Sequence, residues 1–145
     1  MYFVDREKIE TTLVYLEAQI RLFVSKKEWK TPLEKAALER ITQMCLESVL
    51  DVGNTMIDGF IMRDPGSYED IIDILMDEKV ISQETGEALK VLISFRKPLV
   101  QSYTDIDHQQ LLEQFSQHLP ALSIFAENVR DYLKNELGPV SAFRN

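Results

Sequence analysis

Cysteine, histidine, tryptophan and glycine are all scarce in this 145-residue chain, which carries one Cys, two His, one Trp and five Gly. A single thiol, Cys45, excludes an intrachain disulfide and a cysteine-rich zinc site, and it suits a reducing compartment. Its neighbours Met44 and Leu46 are apolar and no His lies nearby, which describes a buried structural thiol rather than a nucleophile. His108 and His118 fall almost three helical turns apart, too distant to share one metal. A Gly-rich phosphate loop, a His-Glu-x-x-His pair, paired cysteines and an acidic calcium loop are all missing, so neither a metal nor a cofactor is expected. No apolar run approaches the ~18 residues of a bilayer span, and no basic region followed by an apolar run opens the chain. A cytoplasmic protein without a membrane partner is the expectation.

Positive charge is also in deficit, with 16 Lys and Arg against 24 Asp and Glu and a formal net charge of -8. Such a surface opposes non-specific attraction to phosphate backbones. No DNA partner is expected, and RNA binding would need a local basic patch or a dimer groove. The candidate patches are Lys26-Lys27 with Lys30, and Arg96-Lys97.

What the chain has in quantity is apolar residues, 45% of the total, and they recur at helical spacing. With no repeat, linker or low-complexity stretch, residues 1–145 read as one domain. Ile9, Leu13, Leu16, Ile20 and Phe23 mark one face of a first helix from Val4 to about Lys26. Thr31-Pro32-Leu33-Glu34 combines a Thr cap, a proline at the first helical position and a Glu three residues beyond the cap. The second helix starts there and runs to about Ile61, its apolar face built from Leu33, Ala37, Ile41, Met44 or Cys45, Ser48 or Val49, Val52 and Met56. Ser67 caps a short helix through about Met76. Ser82 caps a fourth, with Leu89, Leu92, Phe95 and Leu99 inward. A last helix runs from about Asp107 to Leu137, burying Leu112, Phe115, Leu119, Leu122, Phe125 or Ala126, Val129 and Leu133, with a kink expected at Pro120. Short connections and the lack of period-two alternation predict an all-α, up-and-down bundle of four or five helices.

The chemistry-bearing residues gather on two helices. Glu47 and Asn54, seven positions apart, share a side of helix two beside its apolar stripe. Arg96 is the natural partner for Glu47, because its planar fork matches a carboxylate. Arg96 and Tyr103 share a face of a regular helix, whereas Gln101 falls about 140° round from Arg96. Pro98 disfavours helical geometry at Lys97 and would rotate Gln101 back toward Arg96.

In this order and spacing, Phe95-Arg96 with Tyr103, Glu47 and Asn54, the Pro65-Gly66-Ser67-Tyr68 start of the short helix, and Leu75 through Ser82 before the motif helix resemble the HepT-like branch of the HEPN superfamily. That branch is marked by an arginine followed after four to six residues by a histidine, commonly within Arg-Asn-x-x-x-His-x-Tyr. The resemblance covers nearly the whole chain. It implies a homodimeric helical bundle whose two motif helices meet at a cleft, acting as the metal-independent ribonuclease toxin of a toxin–antitoxin pair. It also implies a small nucleotidyltransferase antitoxin that, in some members, adenylylates the motif tyrosine, here Tyr103. Arg96 would then be catalytic.

The sequence departs from that pattern at two positions. Gln101 stands where the motif histidine falls, and Lys97 replaces the asparagine. An amide cannot move a proton near neutrality as imidazole does, and a general acid or base contributes ~10²–10⁴-fold to rate. Cleavage is therefore expected to be feeble or absent unless another group, for which His108 is the candidate, substitutes. The alternative is a catalytically inactive dimeric module that keeps the groove and binds RNA or a nucleotidyltransferase through the Arg96 to Tyr103 surface. A third expectation is a purely protein-binding role through exposed Trp29, Phe60 and Met62.

Overall fold

The computed structural model describes residues 2–138, and among these there are six helices and no strand. They are α1 (Arg6–Val24), α2 (Pro32–Gly59), α3 (Tyr68–Asp77), α4 (Gln83–Ile93), α5 (Arg96–Gln101) and α6 (His108–Leu137). Each start except that of α5 has a side-chain cap: Asp5, Thr31, Ser67, Ser82 and Asp107 each accept an N–H from the residue three positions on. At Thr31 the cap is reciprocal, since Glu34 Oε1 takes the Thr31 N–H at 3.0 Å while Thr31 Oγ1 takes the Glu34 N–H at 3.1 Å.

The long helix α2 is the centre of the bundle, packed by α1, α3, α5 and α6, while α4 lies against α3 and α6. A helix with neighbours on several sides must be apolar beyond one stripe. Leu38, Leu46, Leu50 and Ile57 are accordingly buried together with Ile41, Cys45, Val49, Val52 and Met56. Gly53 permits the close approach of α3, because a Cβ there would sit 2.5 Å from Ile71 Cγ2.

Four expectations are corrected. Leu33, assigned to the inner stripe, is 81% exposed, and the buried face of α2 begins only at Leu38. Trp29, Phe60 and Met62, proposed as an exposed contact surface, are buried: Trp29 is only 6% exposed and packs on Phe23, while Phe60 lies between Tyr2 and Tyr132. The third correction concerns the fourth helix, which is interrupted at Ser94 and Phe95, ahead of Arg96. Pro98 therefore occupies the first turn of a new helix, where an amide has no intrahelical acceptor and its loss costs little. Finally, Arg96 through Gln101 form one helical run, so Pro98 does not turn Gln101 back toward Arg96. Helix α6 runs unbroken through Pro120.

Candidate functional site

Three helices converge on Arg96. Helix α2 supplies Glu47, whose Oε1 accepts the Arg96 Nε–H at 2.6 Å. Helix α3 supplies Tyr68 at its first position, and the Arg96 guanidinium carbon lies 4.3 Å from the Tyr68 ring centroid. Helix α5 supplies Arg96 itself, at the position after the break. The preceding Phe95 is anchored against Phe115 of α6, which fixes where the guanidinium leaves the backbone.

The loop before α3 is held by its own clip. Arg63 donates to both oxygens of Asp70 at 2.8 and 3.0 Å, and the Gly66 N–H donates to Asp70 Oδ2 at 2.9 Å. These donors, Arg63 first, hold the Asp70 carboxyl below its ordinary range. Lys90 of α4 donates to Asp73 of α3 at 2.7 Å, tying together the two helices that precede the site.

Only one side of the Arg96 fork is committed. Its Nε is taken by Glu47, and among the described residues no acceptor meets Nη1 or Nη2, although the side chain is 23% exposed. A guanidinium fixed through Nε and backed by an aromatic face presents its terminal donors as a pre-oriented fork for an anion such as phosphate.

The other residues singled out from the sequence are arranged less closely. Asn54 is exposed on α2, and no hydrogen bond among the described residues joins it to Arg96. Lys97 and Gln101 are exposed on α5, with Gln101 about 140° round the helix from Arg96. Tyr103 lies past the end of α5 and is 66% exposed. Burial pushes the Cys45 thiol up to about 12, out of range of thiolate chemistry. His108 Nε2 lies 2.7 Å from Glu39 Oε2, while His118 lines a separate groove between α4 and α6. No cluster of metal-ligating side chains occurs among the described residues.

Sequence reasoning missed the Tyr68 ring over Arg96 and the Glu39 pair with His108. Tyr68 was visible as part of a segment, but a contact across 28 residues depends on where α3 lands.

The profile of the family described as Ribonuclease HepT-like matches residues 13–129 of this chain. The chain belongs to this family. It is 53% identical over 144 residues to YutE of Bacillus subtilis (strain 168), a protein provisionally named an RNase; the match covers 99% of this chain and 100% of YutE. The solved structure of YutE, described as a cytosolic protein of unknown function, superposes with a TM-score of 0.95. A tri-AMPylated HEPN toxin of Shewanella oneidensis, solved in complex with an MNT antitoxin, matches with a TM-score of 0.76 at 16% identity, covering 85% of this chain and 96% of that one. At that identity the likeness establishes the fold, which is the all-helical HEPN architecture. No helix among the described residues is long and apolar enough to cross a membrane.

Proposed function

We propose that this HepT-like protein is a metal-independent ribonuclease of the toxin type, acting as a homodimer and attenuated because Gln101 occupies the place of the motif histidine. The observation that carries the reading is the half-committed Arg96 fork. Its Nη donors bind the non-bridging oxygens of a phosphodiester and stabilise the extra negative charge that develops when the neighbouring ribose 2′-oxygen attacks phosphorus and the 5′-oxygen of the next nucleotide leaves, closing a 2′,3′-cyclic phosphate, with water taking the 2′-proton and supplying one to the 5′-oxygen. Glu47 and Tyr68 are positioning residues that keep the guanidinium in register for that task. Gln101 donates or accepts a hydrogen bond but moves no proton, so the rate is lower by the ~10²–10⁴-fold that general acid–base catalysis contributes. The dimer is what membership of the HepT-like family implies, with the two motif helices meeting at a shared cleft. The exposed hydroxyl of Tyr103 suits adenylylation by a nucleotidyltransferase antitoxin, and the AMPylated Shewanella toxin lends that partner support.

The Gln101 substitution itself favours a second reading, a dimer that binds RNA or the nucleotidyltransferase without cleaving. Expression of wild type, Arg96→Ala and Gln101→His in a host lacking the partner, with RNA integrity measured, separates the two. Attenuation predicts slow cleavage by wild type, none by Arg96→Ala, and growth arrest with rapid cleavage by Gln101→His. No cleavage by wild type, with cleavage gained in Gln101→His, selects the inactive module. Cleavage that persists in Arg96→Ala overturns both.

A further inference from the structure

At the end of the bundle where α1 turns into α2, a cavity of about 520 Å³ lies between that turn and the start of α6. Lys27, Lys30 and Lys35 line it from one side, His108 from the other, and Trp29 contributes to its wall. Two carboxylates also line it against the three lysines: Glu28 pairs with Lys30 at 3.3 Å, and Asp107 keeps its charge while capping α6 through the Gln110 N–H at 3.0 Å. Lys27 and Lys35 have no carboxylate partner among the described residues. The Trp29 indole Nε1 is the one buried side-chain nitrogen or oxygen among them that lacks a hydrogen-bond partner. In a chain of net charge -8, this is a concave site with uncommitted cations, walled in part by the buried Trp29.

Its position relative to Arg96 follows from α2. Glu47 holds Arg96 and Glu39 holds His108, so the two anchors sit eight residues apart on one helix, about 12 Å along its axis. The chain between them carries Gln101 and the 66%-exposed Tyr103. Cationic contacts separated by an exposed aromatic ring are the arrangement by which proteins track a single-stranded nucleic acid, with phosphates on the cations and a base on the ring.

We propose that this cavity is a second phosphate subsite for the single-stranded RNA gripped at Arg96, with Lys27 and Lys35 neutralising backbone phosphate a few nucleotides from the one at Arg96 and Tyr103 stacking a base between them. The inference rests on the reading of Arg96 as an RNA phosphate anchor. It explains how a strongly acidic protein could hold RNA without a basic surface, by two small grips on one strand.

The test is binding of a fluorescein-labelled oligouridine of about twelve nucleotides, alongside the dinucleotide UpU, which is too short to bridge the two grips. The full-length chain is compared with Lys27→Glu/Lys35→Glu, with Arg96→Ala, and with Lys8→Glu/Lys134→Glu, which changes net charge equally at the opposite end of the bundle. The subsite predicts that Lys27→Glu/Lys35→Glu weakens the oligouridine on the order of 10-fold and lowers its salt slope by about 1.4, the release expected for two phosphate contacts on a single strand. UpU binding should change little, and the emission of Trp29, the sole tryptophan, should respond to the oligouridine but not to UpU. Equal weakening by the Lys8/Lys134 pair, or oligouridine affinity within twofold of wild type in the Lys27/Lys35 variant while Arg96→Ala still abolishes binding, overturns the subsite and leaves Arg96 intact. In that case the lysines are free for an acidic protein partner. If wild type binds no RNA, the reading of Arg96 fails and the subsite with it.

Discussion

Two arginines of this bundle reach carboxylates on neighbouring helices, and they are used in opposite ways. Arg130 of α6 is saturated: its Nε and Nη2 grip Glu10 at 2.9 Å, while Nη1 and Nη2 reach Glu17 at 2.7 and 2.9 Å. Every nitrogen of that fork is spent on holding α6 to α1. Arg96 spends only Nε, on Glu47, and keeps its terminal donors for something that is not part of the fold. An arginine whose every nitrogen is spent on the fold, as in Arg130, has no donor left for a ligand. One that exists for a ligand is fixed by the fewest contacts that orient it.

The sharpest way to break this contrast is to truncate both. Arg96→Ala should lower RNA affinity and cleavage on the order of 10²-fold, the scale of losing an oriented charge donor, with a smaller change in thermal stability than Arg130→Ala causes. Arg130→Ala should do the reverse. It leaves RNA binding within twofold and costs about 1–2 kcal/mol, a figure already reduced for the partial exposure of the cluster. Thermal melts and anisotropy titrations on both variants check this. Equal destabilisation by the two, with RNA binding untouched by either, would make Arg96 a second structural clamp.

Acid titration sharpens the same comparison at smaller amplitude. The Arg130 hydrogen bonds are the main influence holding the Glu17 carboxyl below its ordinary value of 4.5, against the opposing effect of burial. A carboxyl whose native value is depressed stabilises the fold above its unfolded value, and that contribution is lost as pH falls through the native one. Wild-type melting temperature should therefore drop as pH falls below the ordinary Glu17 value of 4.5, and Arg130→Ala should flatten part of that drop. A slope unchanged by Arg130→Ala would mean that other carboxylates carry it.

How much of this was legible in the sequence divides along the same line as the arginines. Helix starts were readable wherever a local signal set them: the Thr31–Glu34 box, the Ser67 and Ser82 caps and the Asp107 cap all stand at the starts that the structure shows, although four or five helices were expected and the described residues form six. The pairing of Glu47 with Arg96 was readable because chemistry supplies one natural partner for a carboxylate at a core edge. The break at Ser94 and Phe95 was not. Proline is the strongest local punctuation, and it drew the expected bend to Pro98, whereas the break lies ahead of it at Ser94 and Phe95, where the Phe95 ring meets Phe115 across the bundle, a contact without a local signal. Burial of Trp29, Phe60 and Met62 was misjudged for the same reason, since residues flanking a helix have no periodicity to place them and only tertiary neighbours decide. The Tyr68 ring over Arg96 and the Glu39 pair with His108 are likewise products of where α3 and α6 come to rest.

Tyr68 offers the smallest and most discriminating test of how the site is held. If its ring restrains the guanidinium, replacing the ring should release Arg96 while leaving the Ser67 cap and the helix intact. An exposed cation–π contact is worth about 0.5–1 kcal/mol. Tyr68→Leu should therefore weaken RNA binding by roughly 2- to 5-fold with little change in melting temperature, and Tyr68→Phe, which keeps the ring, should match wild type. A loss in Tyr68→Phe as large as in Tyr68→Leu would mean that the phenol hydroxyl, not the ring face, serves the ligand. Glu47 would then be the sole restraint on the fork, and Arg96 would be far less rigid than its contrast with Arg130 requires.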